Sequence, residues 1–332
     1  MKIVVVGSDG CLASGYSGLV DLLGLARQAI AATAIDAPLY ELVTASHDGQ
    51  PFRDGQGVLH QVDSALADVA SCNALVVPGF VPDQDRRPPD MALHGTAASW
   101  IRAQHARGAM ACGSCSGAFL LGEAGLLDNR RCTTTWWLHE DMKRRYPLAG
   151  AIWGTALLED GRVVSAGGPL SWIDVALHVI RRLCGNEAAR IAADFTVVDA
   201  TPNTKAAYIP LSHFAAGDTF LARAESIVRR PSKTPITASM LAQELAVSER
   251  TLHRRLIAVI GQAPKKFIDH VRFQMARDLL ETGGKSIKEL AFLCGYADDA
   301  SFRRAFKRAF GKPPGACQVK PGNSQAQLLP CR

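Results

Sequence analysis

Short β-branched runs alternate with longer helical patterns through roughly the first 196 residues of this 332-residue chain, and then the alternation stops. After Ile236 no strand pattern survives, and the remainder reads as short helices. A chain of this length exceeds one ordinary core and suits two, so the change of pattern marks a domain boundary. The spacing predicts strands over Lys2–Gly7, Tyr40–Ala45, Ala74–Pro78 and Ala109–Gly113, and a hairpin over Ala156–Ala166 turning at Asp160-Gly161. Helices are predicted near Asp21–Ala32, Met91–Arg107, Ser116–Ala124, Leu138–Tyr146, Leu170–Cys184 and Asn186–Thr196. This order implies an open α/β sandwich around a parallel sheet. The predicted organisation is a first domain at 1–196, a linker at 197–217 where Thr201-Pro202-Asn203 and Pro210 break any helix, an all-α domain at 218–318 and a tail at 319–332.

Charge divides along the same line. Residues 231–332 hold 17 Lys and Arg against 8 Asp and Glu, a net +9, whereas residues 1–230 hold 20 against 23, a net −3. A basic segment joined to a slightly acidic one points to a polyanionic partner for the C-terminal part only. No window approaches the ~18 apolar residues of a membrane span, and the apolar run Ile3–Val6 is too short for a signal peptide, so a cytoplasmic location and no membrane partner are expected. Nine scattered cysteines, an odd number, read as reduced thiols rather than a disulfide framework.

Two segments of the basic half share one grammar. Met240–Ala246 form a short helix, Val247 lies in a tight turn, and Ser248 caps a second helix from Glu249 to about Ile260. Further on, Ser286-Ile287-Lys288-Glu289 is a capping box opening a helix that ends at Cys294-Gly295, and Asp298 or Asp299 caps a helix to Phe310. Short helix, tight turn and longer helix is the helix-turn-helix plan, in which the second helix enters the major groove of double-stranded DNA. Leu252, Leu256 and Val259 fall on one face of the first reader, leaving Arg250, His253, Arg254 and Arg255 outside; in the second, Phe302, Ala305, Phe306 and Phe310 point inward and Arg303, Arg304, Lys307 and Arg308 lie outside or on the flanks. One such helix would read as an ordinary solvated surface, but the tandem repetition of cap, turn and spacing does not.

These residues, with Gly261-Gln262-Ala263-Pro264, Arg272, Ala276-Arg277-Asp278-Leu279-Leu280 and Gly311-Lys312-Pro313-Pro314, closely resemble the DNA-binding domain of AraC/XylS-type regulators. The resemblance implies base readout by Arg250, His253 and Arg254 in the first unit and by Asp299, Ala300, Arg303 and Arg304 in the second, with Lys307 placed for phosphate, and a linking helix over Pro264–Leu280 holding the units apart. The chain departs from the family at Gly315-Ala316-Cys317-Gln318, where an aromatic residue and Arg are usual, which implies a shorter last helix.

The sharpest chemical motif of the first domain is Gly113-Ser114-Cys115-Ser116-Gly117, directly after a strand and before a helix: the sequence form of a nucleophile elbow, which would place a thiol at a helix N-terminus. With Asp21-Leu22-Leu23-Gly24, Val77-Pro78-Gly79, Glu123-Ala124-Gly125-Leu126-Leu127 and Gly167-Gly168 through Asp174, it resembles the PfpI-like, class I amidotransferase-like domain, and so an open flavodoxin-like sandwich. That domain fused to an AraC-type C-terminus is similar to the GlxA-type transcription regulators, which implies a small effector, amine or amino-acid-like, a homodimer and contact with RNA polymerase. Catalysis would need a base for Cys115. Ser116 stands where catalytic relatives often place His, and Thr133-Thr134-Thr135-Trp136 stands where regulators often show Thr-Thr-His-Trp. His139 and His178 sit in helical patterns and His213 in the linker, so no enzyme activity is expected. The competing reading is a cysteine-dependent hydrolase or hydratase using Cys115 with Asp21. The lone Cys112-x-x-Cys115 pair lacks two further zinc ligands nearby, so no metal or cofactor is expected. Trp136, Trp137, Trp153 and Trp172 crowd one stretch; core packing is the default account, and an aromatic wall for a cationic ligand is the alternative. The effector pocket is expected at Asp21, Cys115, Ser116 and Trp136.

Overall fold

The computed structural model describes residues 1–33, 35–83, 87, 90–199, 219–230, 236–260, 262–282, 285–296, 298–310 and 313–317. The chain divides into two compact units, Met1–Pro202 and Asn203–Arg332.

The first unit is built on a seven-stranded sheet. Its strands are β1 (Lys2–Val6), β2 (Glu41–Ser46), β5 (Ser64–Ala65), β6 (Ala74–Val77), β7 (Met110–Ser114), β10 (Leu157–Asp160) and β11 (Val163–Ala166), in the order β10-β11-β7-β6-β1-β2-β5. All neighbours pair parallel except β10 with β11, the predicted hairpin, whose turn carries Gly161 at φ 65°. β1, β6 and β7 are buried almost throughout because helices cover both faces, which is why their sequences run apolar without alternation. Two short pairs, β3 (Phe52–Arg53) with β4 (Leu59–His60) and β8 (Arg131–Cys132) with β9 (Gly150–Ala151), lie outside this sheet. They are too short to give a periodic signal in the sequence. The helices are α1 (Ala13–Ala31), α2 (Gly95–Ala106), α3 (Gly117–Glu123), α4 (His139–Arg145), α5 (Trp172–Cys184) and α6 (Asn186–Thr196).

The flavodoxin-like expectation holds, with one correction at α1. The helix begins at Ala13 rather than Asp21. Gly15 and Gly18 weaken its helical signature, yet a Cβ at Gly18 would lie 2.4 Å from the Trp172 ring, so the glycine is where α5 packs against α1. The predicted linker lies almost wholly in 200–218, and the tail at 319–332 entirely, outside the described residues.

The second unit is helical throughout its described residues: α7 (Thr219–Arg229), α8 (Ala238–Glu244), α9 (Glu249–Ile260), α10 (Pro264–Thr282), α11 (Ile287–Leu293) and α12 (Asp299–Phe310). It holds two apolar cores. Leu221, Ala224 and Ile227 of α7 join Leu241, Leu252, Leu256 and Ile260 in the first; Leu290, Phe302, Phe306 and Phe310 form the second. α10 serves both, giving Phe267, Ile268 and Val271 to one and Phe273, Ala276 and Leu280 to the other. A single continuous helix shared by two cores fixes their separation and relative rotation.

Candidate nucleic-acid interface and the N-terminal elbow

The two cores support the same motif twice. Thr237 caps α8 by accepting the Met240 N–H at 3.2 Å, and Ser286 caps α11 by accepting that of Glu289 at 3.2 Å, with the Glu289 carboxylate returning to the Ser286 N–H at 2.7 Å. α8 ends in a turn through Ala246 at φ 55° and α11 in one through Gly295 at φ 79°. Val247 lies in the tight turn as expected, and its left-handed residue is the neighbouring Ala246. Ser248 then accepts the Thr251 N–H at 3.1 Å and Asp298 that of Ser301 at 2.6 Å, opening α9 and α12. From these caps onward the register is the same: Leu252, Leu256 and Ile260 are buried, as are Phe302, Phe306 and Phe310 fifty positions later.

The opposite faces are open to solvent. Arg250, His253 and Arg254 are exposed on α9, and Ala300, Arg303, Arg304 and Lys307 on α12, with Asp299 half-buried at its start. Each set spans a single stripe at the N-terminal end of its helix, where side chains meet base edges when such a helix enters the major groove. Arg303 is held by Asp299 at 3.2 Å and Arg304 by the Ser301 hydroxyl at 2.9 Å. An exposed contact of this kind contributes little to stability. Arg255 is different. Its guanidinium lies 4.5 Å from the centre of the Phe220 ring, which assigns it to the packing of α7 rather than to the outer stripe. No local pattern announces this contact, because Phe220 lies in another helix. After α12 the chain makes a short 3-10 turn at Pro314–Ala316, and the residues beyond Cys317 lie outside those described.

In the first unit the elbow has formed. Cys115 sits at φ 53° between β7 and α3. The glycines on either side are sterically required: a Cβ at Gly117 would come within 2.5 Å of the Val77 and Pro78 carbonyls, and one at Gly113 within 2.8 Å of the Ala118 nitrogen. The surroundings, however, disarm the thiol. Cys115 is 2% exposed, and burial pushes its thiol up to about 11, only partly offset by the Ser116 N–H and the Ser116 and Thr135 hydroxyls. The Ser116 hydroxyl accepts the Phe80 N–H at 2.7 Å and donates to the Phe80 carbonyl at 3.0 Å, so its hydrogen bonding is taken up in the backbone. Thr134 donates to the Cys115 carbonyl at 2.8 Å, and the Thr133 N–H donates to the Ser165 hydroxyl at 2.9 Å. The triple-threonine run thus braces the elbow.

Asp21 does not join this group. It is exposed on α1 and lines a surface cleft of about 440 Å³ with Tyr16, Thr44, His60 and Asp63, and neither Cys115, Ser116 nor Trp136 is among the described lining residues. Trp136 is half-buried, edge-on to Trp137 at 5.1 Å, while Trp172 is committed to Gly18. Of the four residues of the expected effector pocket, Asp21 thus lines a surface cleft, Cys115 and Ser116 are buried in the elbow and Trp136 is half-buried beside Trp137. His139 is buried and its imidazole is lowered to about 4 by desolvation, and His178 is 3.0 Å from Glu159; His213 lies outside the described residues. Cys112 is a fully buried free thiol in β7. One pairing escaped the sequence reading altogether. The carboxylate of Asp54, buried, lies 2.7 Å from His60 Nε2, and the imidazole stacks on Phe52 at 5.3 Å and meets Tyr16 at 5.0 Å. It depends on the β3–β4 pairing, which no periodicity announced.

Comparison with known proteins agrees with this geometry in both units. The DJ-1/PfpI family matches residues 26–182, and a helix-turn-helix domain matches residues 241–318. The chain joins a DJ-1/PfpI domain to an AraC-type helix-turn-helix domain. Relatives with the same two-part span include the HTH-type transcriptional regulator CdhR of Pseudomonas aeruginosa, 26% identical over 85% of this chain and 83% of that protein. The HTH-type transcriptional regulator GlxA of Rhizobium meliloti is 26% identical over 86% and 87% respectively. Among solved structures, a candidate transcriptional regulator protein from Vibrio parahaemolyticus superposes with a TM-score of 0.51 at 18% identity, covering 59% of this chain and 98% of that one, a likeness of fold alone. Among the described residues no helix is long and apolar enough to cross a membrane.

Proposed function

We propose that this chain is a sequence-specific DNA-binding transcription regulator whose DJ-1/PfpI domain senses a small molecule rather than performing catalysis. The observation that carries the reading is the tandem arrangement: two helix-turn-helix units in the same register, spaced by one shared helix, each with a polar or basic stripe at the start of its second helix. Arg250, His253 and Arg254 read one major-groove segment, and Asp299, Ala300, Arg303 and Arg304 the next, with Lys307 on phosphate. The protein acts in the cytoplasm as a homodimer that engages RNA polymerase, and effector binding changes which dimer arrangement is populated.

The sensor reading rests on two features of the first unit. Its elbow thiol is sealed and protonated, without an imidazole among the groups that hold it. A cavity of about 550 Å³ opens instead beyond the C-terminal ends of β1 and β2, at the carboxyl-end edge of the parallel sheet, the edge at which open α/β sheets bind ligands. Asp9, Asp48, Asp90, His47 and His94 line it, with no Lys or Arg among the described lining residues, a character suited to a small organic cation. Melting of the whole chain is expected to rise with such a cation in the wild type and equally in Cys115→Ser, but not in Asp9→Asn, and Cys115→Ser keeps the wild-type affinity for DNA. Turnover of any amide or isonitrile that disappears in Cys115→Ser contradicts the sensor reading and restores the hydrolase.

A further inference from the structure

Between the two helix-turn-helix units, along α10, lies a cleft of about 1020 Å³ whose lining includes the start of α8 at Ile236–Ala238, the α10 residues Lys265, Asp269 and Arg272, and one flank of α12. That flank contributes Ser301, Arg304, Lys307 and Arg308. Five cations thus border one cavity, Lys265, Arg272, Arg304, Lys307 and Arg308, against the single carboxylate of Asp269 among the described lining residues. Such a concentration of like charge is self-repulsive unless an anion occupies it. The internal compensation is slight. Arg272 is half-buried and spends one N–H on the Ile236 carbonyl at 2.8 Å, while Lys265, Lys307 and Arg308 are exposed and form no ion pair among the described residues. Burial also holds the Asp269 carboxyl above the usual carboxylate range, against the pull of Arg272 and Lys265, so even the one acidic neighbour is weakened as a counter-charge.

We propose that this cleft is a phosphodiester clamp, gripping the sugar-phosphate backbone of the duplex segment that passes between the two base-reading helices. The inference rests on the DNA-reading role given to α9 and α12 and adds residues to it that the reading stripe does not contain: Lys265 of the linking helix and Arg308 of the far flank of α12. Two features favour a backbone over a free anion. Arg304 and Lys307 belong both to the reading face of α12 and to the cleft, so a molecule lying on that face runs directly into the cavity. The Thr237 hydroxyl, whose oxygen accepts the Met240 N–H, keeps its own proton to donate to a phosphate oxygen. Phosphate held on α10 would register the duplex against the helix that sets the spacing of the units, making the clamp sensitive to spacer length although blind to its sequence.

The test uses the full chain, a duplex enriched from a random library by the wild type, and an unselected duplex. Affinities are measured over a series of salt concentrations for the wild type, Lys265→Gln/Arg308→Gln and the charge-conserving Lys265→Arg/Arg308→Lys. The neutral double variant is expected to weaken on both duplexes by the same factor and to lower the salt slope by ~1.8, about 0.9 for each lost phosphate contact. The conservative pair is expected to restore the slope. Methylphosphonate linkages placed only in the spacer of the enriched duplex should weaken the wild type by a larger factor than the neutral variant; equal factors overturn the clamp. An unchanged salt slope in a folded neutral variant, with the wild type still preferring its enriched duplex, overturns the clamp while sparing the DNA-reading assignment. A wild type without any preference sinks that assignment first. A melting rise with inorganic phosphate alone, lost in the neutral variant while the slope stays intact, identifies a small-anion pocket and likewise overturns the clamp.

Discussion

At the scale of single residues, the decisive facts are about which groups are left free and which are consumed. Cys115 has the backbone of a nucleophile and the environment of a core thiol, because it is buried and the Ser116 and Thr134 hydroxyls, fastened to main-chain groups, supply no base. His139 offers a second case. Desolvation lowers its imidazole from about 6.5 in an unfolded chain to about 4 in place, so the native state refuses a proton that the unfolded state accepts. The stability this neutral histidine allows is therefore complete above pH ~6.5 and is lost as the pH falls towards 4. Urea midpoints of the first unit should fall across that window in the wild type, and His139→Gln should flatten the fall; parallel curves for the two proteins would contradict the assignment. Much at this scale could be read from the sequence, including the elbow glycines and the capping residues, whose chemistry is local. The Asp54–His60 contact and the Arg255–Phe220 stack could not, since each joins residues from different elements.

At the scale of elements, α10 determines whether the second unit can act as one reader. Its Phe273 meets Tyr296 at 6.1 Å, Phe302 at 6.2 Å, Phe306 at 6.0 Å and Phe310 at 6.3 Å, so this ring joins the helix to the second core. The first core uses other residues of the same helix. Phe273→Ala should therefore cost about 3–5 kcal/mol in the second core, seen as faster amide exchange through α11 and α12 while α8 and α9 stay protected. Equal loss of protection in both would mean that the cores do not open separately. The long elements with strong periodicity were legible, from the parallel strands to α12. The start of α1 was not, because Gly18 answers to the Trp172 ring and Gly15 to Pro78 rather than to helix propensity, and β3, β4, β8 and β9, at two residues each, carry no period to detect.

At the scale of the whole molecule, the basic half and the near-neutral half correspond to two units with different kinds of site. The tandem caps and the elbow were legible because each is a contiguous motif. The pocket was harder to read, because Asp21 is exposed on α1 and lines a cleft with Tyr16, Thr44, His60 and Asp63, whereas Cys115 and Ser116 are buried in the elbow. The proposed DNA reader works through two stripes of side chains, spaced by α10, that engage one duplex at two places. Sequencing the duplexes enriched from a random library by the wild type, Arg254→Ala and Arg304→Ala tests this most directly. The wild type should select two blocks of preferred bases about one helical turn, ~34 Å, apart, with Arg254→Ala erasing preference in one block and Arg304→Ala in the other. Enrichment of no sequence, or loss of the same block in both variants, would contradict it.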